Sequence, residues 1–166
     1  MPNILRLTFV VLLCQSAAFA SGVFLDATLS EAGVRQVNGD LMPVPSMGAD
    51  LGYRMGEYVD IVGHFSTSRR DISSPLKQTS YEVALQFRPF TSSFMELSGS
   101  LGVGYHQFQK GAIVEKQLGL GFVPALDFKI YDVRLGVFAG VHILDDMVIS
   151  SSFQTYGVRL GYFFDT

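Results

Sequence analysis

Residues 118–128 read LGLGFVPALDF. Leu118, Leu120, Phe122, Leu126 and Phe128 fall on one parity; Gly119, Gly121, Ala125 and Asp127 fall on the other. The period is two, which a strand produces and a helix does not. One face is large and apolar; the other is small, with one charge. The stretch contains Gly-x-Gly, but no helical pattern follows it, so it is not a phosphate-binding loop.

The same alternation recurs in both directions along the chain. Tyr81, Val83, Leu85 and Phe87 oppose Glu82, Ala84 and Gln86. Met95, Leu97, Leu101, Val103 and Tyr105 oppose Glu96, Ser98, Ser100, Gly102 and Gly104. Val133, Leu135, Val137, Val141 and Ile143 oppose Arg134, Gly136, Gly140 and His142. Residues 156–164 close the series: Tyr156, Val158, Leu160, Tyr162 and Phe164 share a face, and Gly157, Arg159 and Gly161 lie between them. The pattern predicts eight strands over about 22–33, 46–55, 58–67, 79–89, 94–107, 115–129, 132–144 and 151–164.

Residues 1–20 differ. Arg6 precedes the apolar LTFVVLLC, and Ala18-Phe19-Ala20 has the small-x-small form of a signal-peptide cleavage site. The apolar run is too short to span a membrane as a helix. The expected organisation is a signal peptide over 1–20 and one domain over 21–166. The single cysteine, Cys14, lies in the signal, so the domain has no disulfide. Without Arg6 the net charge of −3 becomes −4, which gives no basis for nucleic-acid binding.

The connections are expected to alternate in length. Short links follow the second, fourth and sixth strands, near Gly56-Glu57, Thr91-Ser92-Ser93 and Ile130-Tyr131. Longer links, VRQVNGDLMPVPS, SRRDISSPLKQ, QKGAIV and DDMVIS, follow the others. Short turns at one end and long loops at the other mark an outer-membrane barrel with periplasmic termini. A soluble barrel of this size would turn its apolar face inward. Here the apolar face is continuous and the opposite face is Gly, Ala and Ser, which suits a narrow lumen. Tyr53, Tyr58, Phe87, Phe90, Phe94, Phe128, Tyr131, Tyr162 and Phe164 gather at the short-turn end. Tyr81, Tyr105 and Tyr156 gather at the other, as two interfacial girdles do. The fold class expected is all-β: an eight-stranded antiparallel up-and-down transmembrane β-barrel, closed between its first and last strands because lipid does not tolerate an open sheet edge.

One charge per strand then faces inward: Asp26, Arg54, Asp60, Arg88, Glu96, Asp127, Arg134 and Arg159. Matching like faces across the short turns sets Arg54 opposite Asp60, Arg88 opposite Glu96 and Asp127 opposite Arg134, with Lys129 facing Asp132. Closure sets Asp26 and Arg159 in one layer. Four acids and four bases form a plug that satisfies itself.

The chain resembles the small OmpA/OmpX-like outer-membrane barrels, including the broad group of porin-like barrels. The resemblance covers residues 21–166 and rests on the signal, the alternating strands, the aromatic ends and the final VRLGYFF. It implies a non-enzymatic barrel of the Gram-negative outer membrane with an occluded, charge-paired lumen, acting in envelope integrity or surface adhesion and recognition through its long loops. It implies no cofactor and no metal. Outer-membrane lipid and lipopolysaccharide surround such a barrel, the assembly machinery recognises its last strand, and the monomer is the expected state. Tyr156, Val158, Leu160, Tyr162 and Phe164 have the form of that assembly signal, with Asp165-Thr166 as a short tail. Arg69, Arg70 and Lys77 are candidates for lipopolysaccharide contact. Leu41, Met42 and Val44 are a candidate exposed contact surface.

Two other readings stay open. One is a small channel. The other is a lipid A-modifying enzyme. Small deacylases of the outer membrane use a His-x-Ser arrangement, which His64 and Ser66 match, with Asp50 as the orienting acid. His64, His106 and His142 also face inward, but no local ligand spacing supports a metal, and polar lumen lining is the reading adopted.

Overall fold

A computed structural model of the chain describes residues 21–35, 41–70, 75–145 and 152–165. The signal-peptide assignment for 1–20 and Thr166 lie outside the described residues. Eight strands run in chain order: β1 (Ser21–Arg35), β2 (Leu41–Met55), β3 (Val59–Arg70), β4 (Leu76–Thr91), β5 (Met95–Lys110), β6 (Ile113–Ile130), β7 (Val133–Leu144) and β8 (Ser152–Asp165). Each pairs antiparallel with the next, and β8 returns to β1, so the sheet closes into a barrel.

The barrel is inverted relative to a soluble protein. Leu25, Leu51, Val83, Leu101, Leu120, Leu135 and Leu160 are exposed on the outside. Charged and polar side chains are buried inside, among them Asp26, Asp60, Arg88, Glu96, Asp127 and Arg159. An apolar exterior of this extent needs an apolar solvent. Its height agrees. On β5 the outward residues run from Met95 to Tyr105; ten steps of about 3.3 Å, tilted by about 40°, project to about 25 Å, the height of an outer-membrane apolar band. Beyond Tyr105 the outward positions become Gln107 and Gln109; beyond Tyr81 they become Thr79 and Lys77. The phenolic oxygen of Tyr156 hydrogen-bonds the Glu31 carboxylate, which fixes a polar border on β8 at a similar level.

The connections correct the expected layout. Three of the four anticipated long loops are largely strand. QKGAIV is a tight hairpin: Lys110 pairs with Ile113, and Gly111 adopts φ +61°, as a two-residue turn requires. LMPVPS is the first part of β2, with Pro43 opposite Gly33 and Pro45 opposite Glu31. β3 and β4 extend to Arg70 and Leu76, leaving only 71–75 between them. Residues 36–40, 71–74 and 146–151 lie outside the described residues. Several strands are therefore longer than the 9–11 residues that a tilted crossing needs. Their outer hairpins project beyond the apolar band.

At the other end the turns are short, as expected. Gly56 takes φ +151° and its carbonyl accepts a hydrogen bond from Arg88 Nη2 at 2.5 Å. Tyr131 adopts the left-handed φ of 55° and is almost fully exposed. Asp165 continues the β8 ladder opposite Gly22, so it is part of the strand rather than of a tail.

Candidate functional site in the lumen

The interior is stacked in three stories. β4 shows all of them on its inward face: Leu76, then Gln78, Ser80 and Glu82, and finally Arg88, with Ala84 and Gln86 lining the cavity between the last two; all are buried.

The first story lies next to the short turns. The structure brings all eight anticipated charges together there, but not in the anticipated pairs. Arg54 does sit opposite Asp60, with Nε 3.7 Å from Oδ1. Arg88 does not oppose Glu96. One extra residue between Phe87 and Phe90 forms a β-bulge at Arg88-Pro89, so Thr91 faces Glu96 and Arg88 turns to Asp60 at 2.9 Å. Pro89 cannot donate to the ladder, which suits a bulge. Arg88 Nη1 still reaches Glu96 at 3.7 Å.

On β6 and β7 the expected register is two residues out. The turn is Tyr131-Asp132, so Lys129 faces Arg134 and Asp127 faces Gly136. Arg134 instead binds Asp26 in a bidentate pair, and Arg159 binds Asp127 in another, with Nε 2.7 Å from Oδ1. Such forks are the strongest ion pairs that proteins make. Asp26 and Arg159 therefore share the layer without pairing to each other. The inward glycines become intelligible: a Cβ on Gly136 would collide with the Asp127 carboxylate, and one on Gly161 with that of Asp26.

Two features escaped the sequence reading. Lys129 Nζ lies 2.7 Å from Glu96 Oε2, which adds a fifth cation. Arg54, Arg88, Lys129 and Arg134 all lie within ion-pair distance of this one fully buried carboxylate. Phe24 and Phe163 also turn inward, beneath the guanidinium groups of Arg134 and Arg54 at 4.3 Å each, as cation–π contacts. Aromatic residues on the small-residue parity were the available signal.

The second story holds Asp50, His64, Ser80, Glu82, His106 and His142. Asp50 lies opposite His64 in the β2–β3 register, and the two side chains hydrogen-bond. Ser66 lies on the same inward parity of β3, opposite Gly48 and Ser80. His106 and His142, expected to lie apart, approach to 5.7 Å between ring centroids because β6 between them presents Gly119 and Gly121. Glu82 completes the group, 3.2 Å from His142. A cavity of about 50 Å³ lies between this story and the first, lined in part by Asp50, His64, Glu82, His142 and Arg159.

The third story is apolar and was not foreseen. Val34, Val44, Leu76, Phe108, Leu144 and Phe153 form a buried cluster inside the outer end, with Met42 packed on it. Val44 and Met42 were read as exposed loop residues; they lie on β2 and point inward. The two prolines and the asparagine-glycine pair nearby had masked the period-two pattern.

The face expected to act as an assembly signal, Tyr156, Val158, Leu160, Tyr162 and Phe164, is exposed on the outside of β8, with Phe164 opposite Val23 of β1. Arg69 lies opposite Lys77 at the outer ends of β3 and β4, and Arg70 Nη1 donates to the Pro43 carbonyl at 3.5 Å. The three cations border an open groove of about 260 Å³ with Gln109 and Gly111.

No protein-family profile matches the chain, and no curated protein matches it by sequence. Solved structures do match its fold. Neisserial surface protein A superposes with TM-score 0.65 at 13% identity, over 88% of this chain and 97% of that one. The N-terminal β-barrel domain of Pseudomonas aeruginosa OprF gives 0.60 at 12%, over 88% and 98%. Ail, the attachment invasion locus protein of Yersinia pestis, solved in complex with the heparin analogue sucrose octasulfate, gives 0.58 at 15%, over 87% and 97%. The chain has the eight-stranded closed architecture of these small outer-membrane barrels.

Proposed function

We propose that the chain is a non-enzymatic integral protein of the Gram-negative outer membrane, with a closed lumen and a cationic outer rim that binds polyanionic surface molecules. The carrying observation is the combination of an apolar exterior about 25 Å high with a buried charged layer inside one end and a buried apolar cluster inside the other. The first residue of β1, Ser21, and the last of β8, Asp165, lie at the short-turn end, which is the periplasmic end of such barrels. A small cavity lies between the charged story and the level of Glu82 and His142, with the apolar cluster nearer the outer end. That arrangement favours the plug over the channel.

The enzyme reading finds less support. By register His64 and Ser66 fall on the inward parity of β3, with Asp60 and Val62, rather than on the outward parity of Ile61 and Phe65. Asp50 and His64 satisfy each other as lumen lining.

The rim is where recognition resides. With the loops shorter than expected, the projecting hairpins of β3–β4 and β5–β6 supply the surface. Arg69, Arg70 and Lys77, with Lys110 opposite Leu76, concentrate positive charge there. Lipopolysaccharide phosphates are the nearest polyanions. The Yersinia protein, which shares this fold, was solved in complex with a polyanion, the heparin analogue sucrose octasulfate.

Gel migration of the outer-membrane fraction tests location and fold together. The unboiled protein should run as a compact species that shifts on boiling. A protein found in the periplasmic extract, or one with no heat shift, contradicts the proposal.

A further inference from the structure

Glu82, His106 and His142 lie on β4, β5 and β7, and one potential ligand atom from each falls within 4.8 Å of the other two. All three residues are buried. Glu82 Oε2 and His142 Nδ1 lie 3.2 Å apart without forming an aligned hydrogen bond, and His106 Nε2 has no hydrogen-bond partner. Buried polar atoms without well-aligned partners are unfavourable, and three that converge on one point suit a shared partner. A proton between Glu82 and His142 satisfies two of them and leaves His106 Nε2 alone.

The surroundings hold the rings in place. His106 Nδ1 lies 2.9 Å from Ser80 Oγ, which fixes one ring nitrogen and leaves Nε2 for another ligand. Phe153 stacks on His142 at 4.2 Å with an interplanar angle of 3°, and meets His106 edge-on at 5.1 Å. Gly121 leaves the space: a Cβ there would fall 2.7 Å from both His142 Nδ1 and Glu82 Oε1. At Gly104 it would fall 2.6 Å from His106 Nε2.

We propose that Glu82, His106 and His142 bind one zinc ion inside the lumen, which ties β4, β5 and β7 together beneath the apolar cluster. Two imidazoles and a carboxylate suit a borderline cation; calcium and magnesium prefer oxygen alone. Zinc bonds of about 2.0–2.2 Å place ligand atoms about 3.3 Å apart in a tetrahedron, so the site closes by movements of about 1 Å. The adjacent cavity, which Glu82 and His142 line, has room for a water as the fourth ligand. The ion enters during folding, because the finished lumen is covered on both sides.

Purified protein without an affinity tag of histidines is unfolded with EDTA, refolded in detergent with zinc and desalted; bound metal is then counted by mass spectrometry. About one zinc per chain is expected. His106→Ala and His142→Ala should each lose it, Glu82→Gln should weaken it by about tenfold or more, and His64→Ala should retain it. Heat-shifted migration certifies that each variant is folded. X-ray absorption of the wild type should show a tetrahedral shell of two imidazoles and oxygen, which keeps the proposal testable if a variant does not fold. Wild-type zinc no higher than in the His106→Ala, His142→Ala double variant overturns the proposal. So does a shell without imidazole, or a loss in His64→Ala equal to that in His106→Ala.

Discussion

Glu96 of β5 holds its Oε2 2.7 Å from the Lys129 Nζ of β6, and the same carboxylate lies within 4 Å of Arg54, Arg88 and Arg134. It joins cations from four other strands. Replacing Glu96 by alanine leaves buried positive charge without its main counterion, a change that costs about 3–5 kcal/mol where one partner of a buried pair is removed. Urea unfolding in detergent micelles should show a loss of that order. A loss under about 1 kcal/mol would mean that water reaches these groups and screens them.

The Asp26–Arg134 fork joins β1 to β7 across β8. A double-mutant cycle with Asp26→Asn and Arg134→Gln should give a coupling energy of about 0.5–3 kcal/mol. Asp26→Asn paired with Arg159→Gln should couple less, since Arg159 is committed to Asp127. Equal coupling in the two cycles would contradict the assignment of partners.

These partners mark where the sequence stops being legible. The inward parity of every charge could be read locally, because a strand alternates with period two. So could the strand number and the closure of β8 on β1. The partners depend on turn length, which moves the β6–β7 register by two and keeps parity, and on the bulge at Arg88-Pro89, whose extra residue switches parity within β4 so that Phe87 and Phe90 both face outward. The strand ends were hidden for another reason: Pro43, Pro45 and Gly111 are loop residues by habit, and here they lie in a projecting strand and a tight hairpin. The meeting of Glu82, His106 and His142 was out of reach because β6 separates His106 from His142, and only the absence of side chains on Gly119 and Gly121 lets the rings approach.

Gly136 lies under the Asp127 carboxylate. Gly136→Val should lower the heat-shifted, folded fraction strongly, while Val137→Ala on the lipid side should leave it near wild type. Equal folded fractions for the two variants would sink the close-packing account of the inward glycines.

Phe153 packs against Phe108, His106 and His142 at the outer end of the lumen. Phe153→Ala should cost about 3–5 kcal/mol, as truncation of a buried aromatic does. Phe164→Ala, on the lipid side of the same strand, should cost less stability but reduce insertion by the assembly machinery. Pulse-labelled cells, scored for heat-shifted protein, measure the second effect; unaltered insertion rates would contradict the role given to the β8 aromatic face.

Charge reversal at the rim, with Arg69→Glu, Arg70→Glu and Lys77→Glu combined, should abolish binding to sucrose octasulfate or to lipopolysaccharide. Wild-type binding should weaken as salt rises, because exposed charges are screened over about 8–10 Å at physiological ionic strength. Calorimetry at two salt concentrations reads both effects. Binding that survives the reversal would place recognition elsewhere.

The closed lumen is the centre of the account, and planar-bilayer recording tests it most directly. Refolded wild-type protein should insert without steady ion conductance, and steps should appear only when both plugs are removed, in the Glu96→Ala, Phe153→Ala double variant. Steady, ohmic channels from the wild type, unchanged in that variant, would contradict it.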